Sequence, residues 1–155
     1  MKKICDFCSK FKNPDIAILL IRIAIGAVFV NAGWMKVNNM EMVLGGFASM
    51  GFPAALAYFV AYAELIAGAF VILGIATRGM SAILAIIMAV ATFKVHFAAG
   101  YSLANGGYEY TLTLMLTLIG IALFGAGKYA VEYYLCNRHT CDANCDCGHN
   151  TPKTV

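Results

Sequence analysis

Two sets of residues in this chain have types and spacings that could do chemistry. The first is the run Cys136-Asn137-Arg138-His139-Thr140-Cys141-Asp142-Ala143-Asn144-Cys145-Asp146-Cys147-Gly148-His149, four cysteines and two histidines in one short polar stretch. Near the other terminus, Cys5-Asp6-Phe7-Cys8 has a Cys-x-x-Cys spacing that can grip one metal ion or form a redox pair. Thiolates and imidazoles suit soft ions. The expectation is therefore Zn²⁺ or Cu(I) held by ligands drawn from Cys5, Cys8, Cys136, Cys141, Cys145, Cys147, His139 and His149. An iron–sulfur cluster, disulfides or a redox-labile tail are the open alternatives. The spacing matches no standard zinc finger.

The second set is ionisable and embedded in apolar sequence: Arg22, Lys36, Glu64, Lys94, His96 and Glu109. Glu64 is the only charge in Ala54–Leu73. An acid at the centre of such a segment costs a few kcal/mol to insert on translocon scales, roughly 3, so it must face protein, a cavity or a counter-ion. Helical spacing from Glu64 reaches Ala57, Val60, Ala61, Ala67 and Gly68, a small face on which another backbone can pack. Phe59, Tyr62, Ile66, Phe70 and Leu73 fall opposite and suit lipid.

Positioning these residues requires membrane-spanning helices. The chain has 155 residues, of which 61% are hydrophobic and 12% charged, and its mean hydropathy is +0.76. That is too apolar for a soluble domain of this size. Four segments can cross about 30 Å of hydrocarbon. They are Ile16 to Met35, Pro53 to Ile75, Met80 to Gly100 and Tyr110 to Phe124, and Lys36 to Phe52 suits an interfacial position. The expected architecture is all-α: an integral membrane four-helix bundle over residues 16–132, a tail over 1–15 and a Cys/His-rich tail over 133–155. The apolar run after Met1-Lys2-Lys3 also resembles a signal peptide, but Arg22 within it and the polar lead ahead of it argue against cleavage.

Basic residues cluster before the first segment, at Arg78 and after the fourth, whereas the intervening loops offer Lys36 alone. The positive-inside rule then places both termini in the cytoplasm of a cell (inner) membrane protein. The net charge of +3 follows topology and points to no nucleic-acid binding.

On the first helix, Arg22, Gly26, Phe29, Gly33 and Lys36 share one stripe, and an Arg22–Glu64 ion pair is the leading expected contact. On the third, His96 shares a small face with Ala82, Ala85, Ala89, Thr92 and Gly100. Lys94 lies about 200° away at 100° per residue and is expected to snorkel outward. On the fourth, Glu109, Thr113, Leu116, Thr117 and Gly120 make an expected inner stripe. Lys36, His96 and Glu109 then form a candidate polar pocket above Arg22 and Glu64.

These pieces resemble the DoxX family of small four-helix membrane proteins. The resemblance rests on Leu20-Ile21-Arg22-Ile23-Ala24-Ile25-Gly26, Ala32-Gly33-Trp34-Met35-Lys36, Gly51-Phe52-Pro53, Ala63-Glu64-Leu65-Ile66-Ala67-Gly68, Gly74-Ile75-Ala76-Thr77-Arg78, His96, Gly106-Gly107-Tyr108-Glu109 and Gly125-Ala126-Gly127-Lys128, in family order. Ala130 and Glu132 depart from the Ser and Asp common in the family, and the Cys-rich tails lie outside its pattern. The resemblance implies a membrane bundle and redox work, since a related group supplies the small subunit of thiosulfate:quinone oxidoreductase.

The expected function is therefore a membrane subunit of a redox system, linked to a quinone or a thiol, with His96 exchanging protons and Glu109 orienting or accepting them. No flavin motif, haem-binding Cys-x-x-Cys-His or nucleotide loop is present in the sequence, so electrons would come from a soluble oxidoreductase partner or a tail metal. The alternatives are a metal or small-molecule transporter, with dimerisation widening a narrow path, and a scaffold that recruits a soluble partner.

Overall fold

The structure is a computed structural model, and it describes residues 13–138. Helix α1, Pro14–Asn38, starts at a proline, whose missing N–H costs nothing in a first turn. A ten-residue helix α2, Met40–Ser49, follows and buries none of its residues. Helix α3 is Ala54–Leu73, and it stops at Gly74, which takes the left-handed conformation at φ 76°. The N–H groups of Gly74 and Ile75 both return to the Phe70 carbonyl, closing the helix end. Helix α4, Thr77–Ala91, runs on through a π turn at Thr92–His96 and a 3-10 turn at Phe97–Ala99. Helix α5 is Glu109–Phe124, and α6 is Val131–Arg138.

Three described helices are long and apolar enough to span a membrane: Pro14–Asn38, Ala54–Leu73 and Thr77–Ala99. The fourth apolar helix, Glu109–Phe124, is shorter at 16 residues, about 24 Å. Together they form an integral membrane helical bundle. Two pairs dominate it, α1 with α3 and α4 with α5, joined through α3 against α4.

The α1–α3 contact depends on glycine. A Cβ on Gly33 would lie 2.6 Å from the Leu65 backbone nitrogen, and one on Gly26 would lie 2.8 Å from the Gly68 carbonyl oxygen. Backbones this close fix the level of every side chain between them. The expected α1 stripe is buried from Arg22 to Gly33, and α3 buries Ala57, Ala61, Glu64, Ala67 and Gly68. The core itself is apolar, built from Phe29, Ala67, Val71, Leu84, Ala85, Met88, Leu114 and Leu118.

The second pair follows another rule. On α4 the buried face is Thr77, Ser81, Leu84, Ala85, Met88 and Thr92, while Ala82 and Gly100, expected inside, are exposed. On α5 the buried face is Thr111, Leu114, Leu118 and Ile121, so the expected inner stripe faces outward: Thr113, Leu116 and Gly120 are exposed. The physical reason is that Thr113 and Thr117 donate their hydroxyl protons to the carbonyls of Glu109 and Thr113, one turn back. A hydroxyl satisfied within its own helix can face lipid, and interlocking leucine and methionine side chains then decide the α4–α5 contact.

Candidate functional site

Among the described residues, Lys36 and Glu64 form an ion pair set between helices of the bundle, with its carboxylate buried. Lys36 lies in the last turn of α1 and Glu64 in the middle of α3, with both carboxylate oxygens 2.5 Å from the ammonium nitrogen. The two ends of the pair differ in access. Glu64 is 1% exposed, whereas the Lys36 side chain is 30% exposed. Because Gly33 faces Leu65, Glu64 sits about a turn below Lys36, a drop that the four-carbon lysine stem can span. A carboxylate removed from water here needs that partner: deleting one member of a buried pair typically costs about 3–5 kcal/mol. An ammonium carries three donors. With two on the carboxylate, the third is available to a ligand oxygen arriving from the exposed side.

Arg22 does not meet Glu64, contrary to the pairing expected from the sequence. Its Nε donates to the Val71 carbonyl at 2.9 Å, one Nη to Ile72 at 2.9 Å and the other to Ala126 at 2.5 Å. It therefore closes the C-terminus of α3, where free carbonyls and the negative end of the helix dipole attract a cation. The depth along α1 explains the correction. Glu64 is level with Gly33, which is eleven residues, about 16 Å, beyond Arg22 and out of its reach. Gly74 completes the arrangement, since a Cβ there would collide with the Arg22 guanidinium and with Ala130.

Three further expected site residues have separate partners. His96 Nδ1 lies 2.7 Å from the Gly106 carbonyl, to which its N–H donates, and Glu109 accepts the Leu103 N–H at 3.3 Å. Both brace the loop between α4 and α5, so the structure gives no bonded Lys36, His96 and Glu109 cluster. Lys94 is exposed. Two polar residues escaped the expected site: the buried hydroxyls of Thr92 and Thr111 lie 2.9 Å apart, beside the Met88 and Tyr108 carbonyls at 2.7 and 3.1 Å. Thr92 already lay in line with His96 in the sequence; Thr111 was hidden by the outward threonines of its helix.

Cys5, Cys8, His139, Cys141, Cys145, Cys147 and His149 lie outside the described residues, and of Cys136 only its place in α6 is described. Among the described residues no group of three or more His, Cys, Asp or Glu side chains could hold a metal.

The DoxX family model matches residues 17–97, from the start of α1 through the end of the π turn of α4, and so takes in Arg22, Lys36, Glu64 and His96. The chain belongs to the DoxX family. A Bacillus subtilis (strain 168) protein named "Putative oxidoreductase CatD" is 33% identical over 124 residues, which is 80% of this chain and 90% of that protein. The Escherichia coli (strain K12) inner membrane protein YqjF is 23% identical over 124 residues, 80% of this chain and 95% of its own length. No solved structure matches. The candidate site is thus a shielded carboxylate tethered to a partly exposed ammonium, an arrangement chemically able to hydrogen-bond an oxygen atom and to pass it a proton.

Proposed function

We propose that this DoxX protein is an accessory membrane subunit of a redox system, and that the Lys36–Glu64 pair is where a quinone headgroup or a small thiol-derived anion is held. The supporting observation is the unequal exposure of the pair, with its carboxylate sealed and its cation open. A pair kept only for stability is weakly motivated, because well-packed apolar residues often replace buried ion pairs at no cost or with a gain. The name of the Bacillus relative weighs in the same direction. Lys36 donates to a substrate oxygen, and Glu64 supplies or takes up a proton. For a quinone, two electrons and two protons yield the quinol, the electrons coming from a reduced soluble oxidoreductase partner. His96 and Glu109 hold the rim loop rather than the substrate.

The tails are the second part of the reading. Cys136, Cys141, Cys145 and Cys147, with His139, His149, Cys5 and Cys8, bind Zn²⁺ or Cu(I) on the cytoplasmic side. Anaerobic purification followed by metal analysis tests this part. Bound metal that falls in Cys136→Ser with Cys141→Ser supports it, and its absence from the wild type removes it. The transport alternative is disfavoured by the apolar core of Phe29, Val71, Leu84 and Leu118, which lies between Arg22 and the ion pair.

The chain has one tryptophan, Trp34, exposed and two residues from Lys36. Quenching of Trp34 by a short-chain quinone should include a saturable component in the wild type. Lys36→Met and Glu64→Gln should each weaken that component by about tenfold or more, the loss expected for a charge-assisted hydrogen bond, while Lys94→Gln leaves it unchanged. Equal quenching in all four proteins would remove the quinone reading.

A further inference from the structure

The Lys36–Glu64 pair sits in a bundle whose two ends are built differently, and that difference bears on how protons reach it. At the end where the described chain begins and α6 lies, Arg22 is fully buried and fixed by three backbone carbonyls. A guanidinium does not give up its proton in a protein, so Arg22 is a plug rather than a relay. The buried hydroxyls Thr77 and Ser81 belong to this end too, in the first turns of α4. Next along α1, about 10 Å further in at 1.5 Å per residue, comes Phe29, packed with Ala67, Val71, Leu84 and Leu118, all buried. Well-packed apolar side chains leave few voids that could hold water. The ion pair begins about 6 Å beyond Phe29, at the level of Gly33 where Glu64 sits.

The far end is open. Lys36 stands two residues before the end of α1, and exposed Asn38 and Asn39 follow it. Trp34, exposed beside it, suits the headgroup level of a membrane. The ionisable groups of every element at this end can be placed. From α1 comes Lys36, bonded to Glu64, and from α2 comes Glu41, exposed in its first turn. From α3 itself come Tyr58 and Tyr62, both exposed. From α4 come Lys94, exposed, and His96, committed to Gly106, from the loop that follows come Tyr101, exposed, and Tyr108, its ring stacked on Phe97, and from α5 come Glu109, committed to Leu103, and Tyr110, exposed. Among the described residues, Lys36 is thus the ionisable group that is bonded to Glu64 and also reaches the surface.

We propose that Glu64 exchanges protons with one side of the membrane only, the side opposite the chain's described ends, and that Lys36 is the carrier. In the step, an N–H bond of the Lys36 ammonium breaks as an O–H bond forms on Glu64. The resulting amine then takes a proton from hydronium on the open side, so the net change is one proton moved from that water to the carboxylate. This deepens the reading of the pair as the working site but does not depend on redox activity. A one-sided proton supply would make any substrate reduction at this site draw its protons from that side.

A hydrophobic, membrane-permeant carbodiimide provides the test, because it modifies carboxyl groups in their protonated form. The full-length protein is placed in sealed vesicles whose orientation is sorted by labelling the tail cysteines with an impermeant maleimide, and the pH is set independently on each face. Modification of Glu64 is read by mass spectrometry, with Glu64→Gln as the blank. Each unit of acidification on the face opposite the tails should raise the initial rate by up to about tenfold, and acidification on the tail face should leave it unchanged. In Lys36→Met the response to the open face should be lost or delayed. A rate that follows the tail face, both faces equally or neither face overturns the proposal. Failure of quinone quenching at Trp34 with one-sided labelling intact would instead discard the redox reading alone.

Discussion

Lys36 and Glu64 are bonded to each other, yet removing one should not equal removing the other. Lys36→Met leaves a carboxylate sealed inside the α1–α3 contact with no cation, so thermal unfolding in detergent should show a large loss, on the order of 3–5 kcal/mol. Glu64→Gln leaves a lysine that is already half-open and can swing to the headgroups, so its loss should be smaller, about 1–2 kcal/mol. The double variant Lys36→Met with Glu64→Leu removes both charges and should recover much of the stability while losing the saturable quinone quenching of Trp34. A double variant less stable than Lys36→Met would mean that the pair is needed for folding itself. Arg22 obeys a different rule because its partners are carbonyls. Arg22→Lys keeps the charge but cannot direct three donors in the guanidinium's planar fork at Val71, Ile72 and Ala126, and should lose stability almost as Arg22→Met does.

At the level of helices, space rather than charge discriminates. Gly33→Ala brings a Cβ to 2.6 Å from the Leu65 nitrogen, which is backbone and cannot move alone, so α1 must shift away from α3 and stretch the ion pair. Gly45→Ala and Gly46→Ala on α2 meet nothing within 4 Å and should be neutral or slightly stabilising. The measurement is thermal unfolding for all three, with a drop in Gly33→Ala alone as the expected result. On α5, Thr113→Leu should be tolerated because its hydroxyl closes on Glu109 in the same helix, whereas Thr111→Val should cost about 1 kcal/mol through loss of the contact with Thr92. This contrast also marks what was legible in the sequence. The α1 and α3 faces could be read because glycine at helical spacing has few uses other than close approach. The α5 face could not, because hydroxyl side chains read as polar although their own backbone can satisfy them. Glu64 was recognisable as buried from its surroundings, but its partner depended on depth, and two cations on one α1 stripe left that choice to three-dimensional register. The π turn at Thr92–His96 has no signature in residue spacing, and His96 bonds the Gly106 carbonyl rather than Lys36 or Glu109.

For the molecule as a whole, the embedded charges do not converge on one interior. They form two separate layers, Arg22 with backbone carbonyls at one end and Lys36 with Glu64 toward the other, with Phe29, Val71, Leu84 and Leu118 between them. The layer around Arg22 gathers the first turn of α1 and the segment that follows α5. Asp15, in the first turn of α1, accepts the Lys128 backbone N–H at 3.1 Å and lies 3.7 Å from its ammonium. The Glu132 N–H reaches the Gly74 carbonyl at 3.1 Å, and Ala130 is buried. The described chain therefore enters α1 and leaves α5 on the same face of the bundle. An impermeant maleimide applied to sealed vesicles should accordingly label both tails from one common side, and chelation of a tail metal should raise labelling at both together. Labelling of Cys8 from one face and Cys141 from the other would contradict the shared exit. Protection confined to the C-terminal cysteines would preserve that exit but restrict the metal to one tail. Charge reversal of the anchor supplies the counterpart: Asp15→Lys sets two cations against each other at Lys128, and should speed labelling and proteolysis of the C-terminal tail without altering Trp34 quenching at the opposite end.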